Sequence, residues 1–198
     1  MKTLIAIPAL SWVYTEFLQA MLALDKLDAQ LMIQKNSMIY DARNNLAWAA
    51  MTHGFDRVMW IDSDMTFSPD MLNLLNADMD ENGLDYVCGY YTGRSQGAKP
   101  CIYQSVRWEN DGGMVNASAN PIEGRPDGIV EIAGSGFGAV LMKTELIKAV
   151  ADAYGPPFLP LPYMGEDLSF CWRVKSLGRK MHCDGRIRAG HIGTFIYE

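Results

Sequence analysis

Two carboxylates one residue apart, Asp62 and Asp64, follow the apolar run Val58-Met59-Trp60-Ile61. Side chains alternate in direction along an extended chain, so both can point the same way. Two such negative charges repel unless a cation lies beside them, and carboxylate oxygens favour hard ions such as Mg²⁺ or Mn²⁺. The triplet also reads as a turn in which Asp62 or Ser63 caps the next segment. A second acidic pair, Glu166 and Asp167, comes directly after Gly165 at the start of a helical pattern. Acids in a first turn complement the helix dipole, or one of them is held as a base or as an acceptor for a hydroxyl. Gly134-Ser135-Gly136-Phe137-Gly138 lets the backbone press close to a ligand, or simply makes a tight bend. His191 lies between Gly190 and Ile192-Gly193; an imidazole suits Mn²⁺, although a lone histidine is commonly structural. There is no dinucleotide fingerprint and no phosphate loop followed by Lys-Ser/Thr.

These groups need elements to place them. The short apolar run before Asp62, bounded by polar residues, predicts a strand buried on both faces. The carboxylates then stand where that strand leaves the sheet, which is where ligands of open α/β sheets gather. Upstream, residues 3–9 predict a strand, and 13–27 a helix with Val13, Phe17, Met21, Leu24 and Leu27 at helical spacing. Leu31-Met32-Ile33 is a short strand, and 41–53 a helix capped by Asp41, ended by Gly54, with Leu46, Ala49 and Ala50 inward. That β-α-β-α-β order implies a parallel sheet with right-handed crossovers.

Downstream, Ser68 as cap and Pro69 at the first position start a helix with Met71, Leu72 and Leu75 inward. Residues 85–91 predict a strand and 92–98 a flexible loop. Strand-like pieces near 100–108 and 129–133 flank residues 109–128, whose Gly, Asn, Asp and Pro content predicts a mobile surface loop and candidate lid. Val140-Leu141-Met142 leads into a helix from about 144 to 153, and a proline-rich connector over 156–162 into a helix that Gly178 stops. The second half departs from regular alternation, so a mixed sheet is expected there.

The chain has 198 residues, about one domain's worth, and 49% of them are apolar, enough for a real core. A net charge of −6 and an isoelectric point near 5.0 disfavour nucleic acid and anionic membranes, which attract basic faces. The cysteines (Cys88, Cys101, Cys171, Cys183) are scattered and read as reduced thiols of a cytosolic protein. The neighbours His182 and Cys183 point to opposite faces of a strand, so zinc is discounted. Met1-Lys2 and the residues from Leu4 to Tyr14 mimic a signal peptide, but Pro8 interrupts them and no convincing cleavage site comes after. No other stretch is long and apolar enough to span a bilayer, and a cytoplasmic location is expected.

Taken in order, these segments resemble the GT-A glycosyltransferases, most closely the family 2 type, over nearly the whole chain. The resemblance rests on a first strand ending in Ile5-Ala6-Ile7-Pro8, on Ala42-Arg43-Asn44 opening a helix, and on Asp62-Ser63-Asp64 as the family's Asp-x-Asp. Gly134 to Gly138 before an apolar strand, and Gly165-Glu166-Asp167 leading a helix that contains Arg173 and ends at Gly178, complete it. It implies a single α/β domain over 1–198 with a GT-A (Rossmann-like) fold, a mostly parallel central sheet and a mixed C-terminal part flanked by helices. Residues 1–91 would be the nucleotide-binding half and 92–198 the acceptor and sugar half.

The resemblance also assigns roles. Asp64 would bind the Mn²⁺ or Mg²⁺ that bridges the donor's diphosphate, Asp62 the ribose or the metal's water shell, and His191 would complete the metal site. Pro8, Ala9 and Arg43 would lie by the nucleotide, with Ser63 between the two acids. Gly136 and its neighbours Gly134 and Ser135 would line the sugar pocket. Asp167 with Glu166 would meet the acceptor, the Asp being the base in inverting members. The donor would be a nucleotide sugar, a UDP-sugar by analogy; the acceptor hydroxyl is unspecified, and a homo-oligomer is compatible. The family often has Asn-Glu after the first proline, where this chain has Ala9-Leu10-Ser11.

Two other readings remain. Asp62-Ser63-Asp64-Met65-Thr66 fits the Asp-x-Asp-x-Thr loop of haloacid-dehalogenase-type phosphatases, although those place it on the first strand and about sixty residues precede it here. A sugar-nucleotide binding module without catalysis also accords with the short chain.

Overall fold

The computed structural model describes residues 1–94 and 97–193. It begins as the hydrophobic pattern requires: β1 (Thr3–Ala9), α1 (Thr15–Ala23), β2 (Gln30–Lys35), α2 (Ile39–Thr52) and β3 (Arg57–Ile61). β1 pairs in parallel with both β2 and β3. A short β4 (Met65–Phe67) comes after the acidic triplet, then α3 (Met71–Asn82) and β5 (Tyr86–Tyr90). The second half holds β6 (Ile102–Asp111), β7 (Met114–Pro121), β8 (Ile129–Ile132), β9 (Gly134–Ser135), β10 (Ala139–Lys143), α4 (Thr144–Tyr154), α5 (Glu166–Ser176) and β11 (Met181–His191).

The central sheet runs β2-β1-β3-β10-β5-β11-β4, with β8 also on β11. Among the described residues five of its eight strands (β1, β2, β3, β5, β11) point one way, while β10, β8 and β4 run against them. This is the mixed, mostly parallel α/β sheet expected from the sequence. Residue alternation divides its core into two. Leu4, Ala6, Val58, Trp60, Val140 and Met142 pack with the apolar faces of α2, α4 and α5. Ile5, Ile7, Met59, Ile61, Ala139 and Leu141 pack with α1 and α3. Every residue of β3 is buried, as a central strand covered by helices on both sides requires.

Several local expectations are corrected. Residues 109–128 are largely a hairpin rather than a mobile loop: β6 and β7 pair antiparallel from Val106 opposite Ala119 to Asp111 opposite Met114, with Gly112 and Gly113 at positive φ in the turn. The apolar residues of that hairpin alternate with polar ones along an exposed ribbon, so no buried run announced them. Ser68 and Pro69 lie in a turn that returns Met71 N–H to the Ser68 carbonyl at 3.2 Å, and α3 starts at Met71. Asp41 is already inside α2, which starts at Ile39 without a side-chain cap. Helix α1 runs only from Thr15 to Ala23, so Val13 and Leu27, placed at its helical spacing, lie outside it and are exposed. Of the loop over 92–98, Ser95 and Gln96 lie outside the described residues; Thr92 bridges Pro100. No described helix is long and apolar enough to cross a membrane.

Candidate active site at the carboxyl ends of β1, β3 and β5

A cleft of about 590 Å³ opens where β1, β3 and β5 leave the sheet, and the start of α5 forms part of its wall. Pro8 and Ala9 from β1, Arg43 from α2, Asp62, Ser63 and Asp64 after β3, Gly136 after β9, Glu166 and Asp167 from α5, and His191 from β11 all line it. Gly134 and Ser135 do not. Both are buried in β9; the Ser135 hydroxyl lies 2.6 Å from that of Tyr86 and donates to the Gly136 carbonyl, facing the core rather than the cleft.

Arg43 ties the two acidic motifs together. It is 2% exposed; its Nη2 donates to Asp62 Oδ1 at 2.7 Å and its Nε to Glu166 Oε1 at 3.1 Å. Its guanidinium also lies 5.1 Å from the Phe137 ring centroid and 5.6 Å from that of Trp60. Burial opposes the Arg43 charge, but Asp62 and Glu166 outweigh that and raise its pKa. The resemblance puts this residue beside the nucleotide; its hydrogen bonds go to Asp62 and Glu166. Its Nη1 is buried without a partner among the described residues.

Asp64 sits in a second knot. A turn returns Met65 N–H to the Asp62 carbonyl at 3.3 Å and delivers Asp64 against β11. The Asp64 carbonyl accepts from Ile192 N–H at 2.8 Å, and Asp64 Oδ2 lies 2.8 Å from Arg94 Nη1 and 3.5 Å from His191 Nε2. Burial works against ionisation of Asp64, yet the hydrogen bond to His191 and the Arg94 charge hold its carboxyl below the usual range. His191 Nδ1 is 3.0 Å from the Thr92 carbonyl, which can only accept, so that nitrogen carries the proton. Nε2 is the ring nitrogen that faces Asp64 Oδ2.

An imidazole nitrogen beside a carboxylate, with the far ring nitrogen held by a carbonyl, would suit Mn²⁺ or a related ion, which would take the place of any proton on Nε2. No group of three or more His, Cys, Asp or Glu side chains able to hold a metal occurs among the described residues. Other positions around such an ion would fall to a ligand or water.

Across the cleft stands Asp167. Burial, and then the neighbouring Glu166 charge, push its pKa up to about 6. Its Oδ1 accepts from Leu168 N–H at 2.7 Å. Its Oδ2 faces Gly136, where an added Cβ would come within 3.6 Å of it. The same Cβ would collide with the Tyr91 hydroxyl, which accepts from Gly138 N–H at 3.0 Å. Glycine at 136 therefore lets the Tyr91 hydroxyl pack where a side chain would stand, beside the buried acid.

No protein-family model matches the sequence, and no curated protein matches it at significant similarity. Among solved structures, A197 from STIV aligns with 98% of this chain and 87% of its own at a TM-score of 0.70 and 22% identity. GalNAc-T7, solved with UDP, GalNAc and Mn²⁺, aligns at a TM-score of 0.61 and 13% identity over 98% of this chain and 44% of that one. TarS 1–349 of S. aureus gives 0.58 and 13%, over 96% and 60%. The fold is that of the GT-A glycosyltransferases.

Arg94, Thr92 and Cys101, to which sequence reasoning assigned no role here, also shape this GT-A cleft or its rim, as do Tyr91 and Tyr103, whose aromatic rings could stack on a sugar or base. For Arg94 a signal existed: a lone cation in a Gly-containing loop just past a buried strand, at the end of the sheet where ligands bind.

Proposed function

We propose that the protein is a metal-dependent glycosyltransferase, most like family 2, that moves a sugar from a nucleotide-sugar donor, a UDP-sugar, to a hydroxyl acceptor. One observation carries the reading: in a single cleft the Asp64–His191 donor pair faces a buried carboxyl, Asp167, whose pKa lies near the working range of a general base. Residues 1–91 serve as the donor half and 92–198 as the acceptor half of one domain.

Asp64 and His191 would hold Mn²⁺ or Mg²⁺, which when bound shields the charge that develops on a diphosphate leaving group. Arg43 fixes Asp62, leaving that carboxylate oriented toward the donor rather than free to attack. This engagement speaks against a phosphatase in which Asp62 is the nucleophile. Asp167 takes the acceptor's proton at Oδ2, since Oδ1 is already occupied by Leu168 N–H. Gly136 lines the cleft beside that acid, where the sugar would lie.

The test is calorimetric binding of UDP and UDP-sugars with and without Mn²⁺, to the wild type and to Asp64→Ala. Metal-dependent binding that disappears in the variant is expected. Absence of nucleotide binding by the wild type in Mn²⁺, or full binding and turnover by Asp64→Ala, would overturn the assignment.

A further inference from the structure

Arg94 occupies the oxygen that a cation would take. Its guanidinium is 2.8 Å from Asp64 Oδ2, the same atom that His191 Nε2 approaches at 3.5 Å. A guanidinium and a divalent ion cannot both sit on that oxygen: they repel each other, and each needs the same lone pairs. Arg94 is not built into the core. Its side chain is 53% exposed while that of Asp64 is only 18% exposed, so the guanidinium can turn out into water but leaves a partly buried carboxylate behind. Its backbone, by contrast, is anchored: Gly193 lies against it, where an added Cβ would come within 3.4 Å of Arg94 Cβ, and two residues earlier the Thr92 carbonyl holds His191. The Arg94 side chain can therefore leave Asp64 while its Cα stays at the cleft wall.

We propose that Arg94 is an exchangeable counter-ion: it neutralises Asp64 while the site lacks metal, and moves to the donor's diphosphate when the metal takes its place. The proposal rests on the nucleotide-sugar reading above. The consequence is coupling. Metal alone must displace the guanidinium from the partly buried Asp64 into water with no new partner, so it binds weakly. Nucleoside diphosphate supplies the guanidinium with a bidentate anionic partner, so metal and diphosphate bind far better together than apart. By reciprocity, each ligand strengthens the other by the same factor.

The experiment titrates Mn²⁺, followed by the electron paramagnetic resonance of the free ion, into the wild type, Arg94→Ala and Arg94→Lys, with and without saturating UDP. In the wild type UDP is expected to tighten Mn²⁺ binding by about tenfold or more, within the ordinary range of such couplings. In Arg94→Ala, Mn²⁺ alone should bind about tenfold tighter than in the wild type and UDP should add little; Arg94→Lys, which keeps a charge without the planar fork, should fall between. Circular dichroism of each variant separates these shifts from misfolding. If Mn²⁺ and UDP bind the wild type but Arg94→Ala leaves both the Mn²⁺ affinity and its response to UDP unchanged, the exchange is refuted while the function stands. If no variant takes up Mn²⁺ even with UDP, the nucleotide-sugar reading falls and the exchange falls with it.

Discussion

The Nε of Arg43 donates to Glu166 Oε1 over 3.1 Å, joining α2 to the first turn of α5 between residues 123 positions apart. The same guanidinium holds Asp62, so the two acidic motifs share one buried cation. Without it, Asp62 and Glu166 would be left as uncompensated charges at a partly dry cleft wall. Arg43→Ala should lower unfolding free energy by about 3–5 kcal/mol, as expected when one partner of a buried ion pair is removed. Urea denaturation checks this. Arg43→Lys, which cannot reach both acids in the plane of one fork, should recover only part of the loss.

Asp167 makes its own pH signature. Burial and the Glu166 charge raise its pKa to about 6, so it is protonated and unable to act as base below that value and competent above it. The pH profile of kcat/KM should rise through about pH 6 to a plateau. Asp167→Asn should remove that limb and slow transfer by about 10²-fold or more, with donor binding intact. Glu166→Gln, by removing a neighbouring negative charge, should move the limb to lower pH.

Gly136 and Tyr91 form a steric couple. A methyl group at 136 runs into the Tyr91 hydroxyl, which is buried and bound to Gly138 N–H. Gly136→Ala should cost about 1–3 kcal/mol of stability by overpacking and depress transfer more than donor binding. Tyr91→Phe in the same chain removes the colliding oxygen and should restore part of the loss in thermal unfolding.

On the far side of the sheet's α3 layer, Asp78 lies beside Asp184. Burial first, then the Asp184 charge, raise Asp78 from 3.8 to about 6, while Arg186 keeps Asp184 ionised by binding it through Nε and Nη2. The folded state thus binds a proton that the unfolded chain releases near pH 4, and stability falls as pH rises from about 4 to about 6. Asp78→Asn should stabilise the protein at pH 8 by about 1–3 kcal/mol, a pKa unit being worth about 1.4 kcal/mol. The gain should vanish below pH 4, which denaturant melts at both pH values would show.

The parts of this molecule legible in its sequence are those where burial writes a pattern. The run Val58 to Ile61 announces a central strand, and Met71, Leu72 and Leu75 announce the inner face of α3. The positions of Asp62, Asp64 and Asp167 in the cleft follow from where such elements end. The hairpin of β6 and β7 was hidden because its residues are half in water and its turn glycines read as loop. The antiparallel β10, inserted between β3 and β5, was equally silent, since an apolar strand looks the same in either direction. Arg43 looked like a ligand-facing cation; that its bonds go to two acids from distant segments is a tertiary fact that no local window contains.

One strand ties chemistry to assembly. β11 is threaded into the sheet between β5 and β4, and its far end carries His191 to Asp64, 127 positions earlier in the chain. Contacts of such separation carry the entropy cost of closing a long loop. A nascent or partly folded chain can bury most of its helices and still lack the imidazole beside Asp64. The pairing of His191 with Asp64 therefore exists only once β11 has taken its place between β5 and β4.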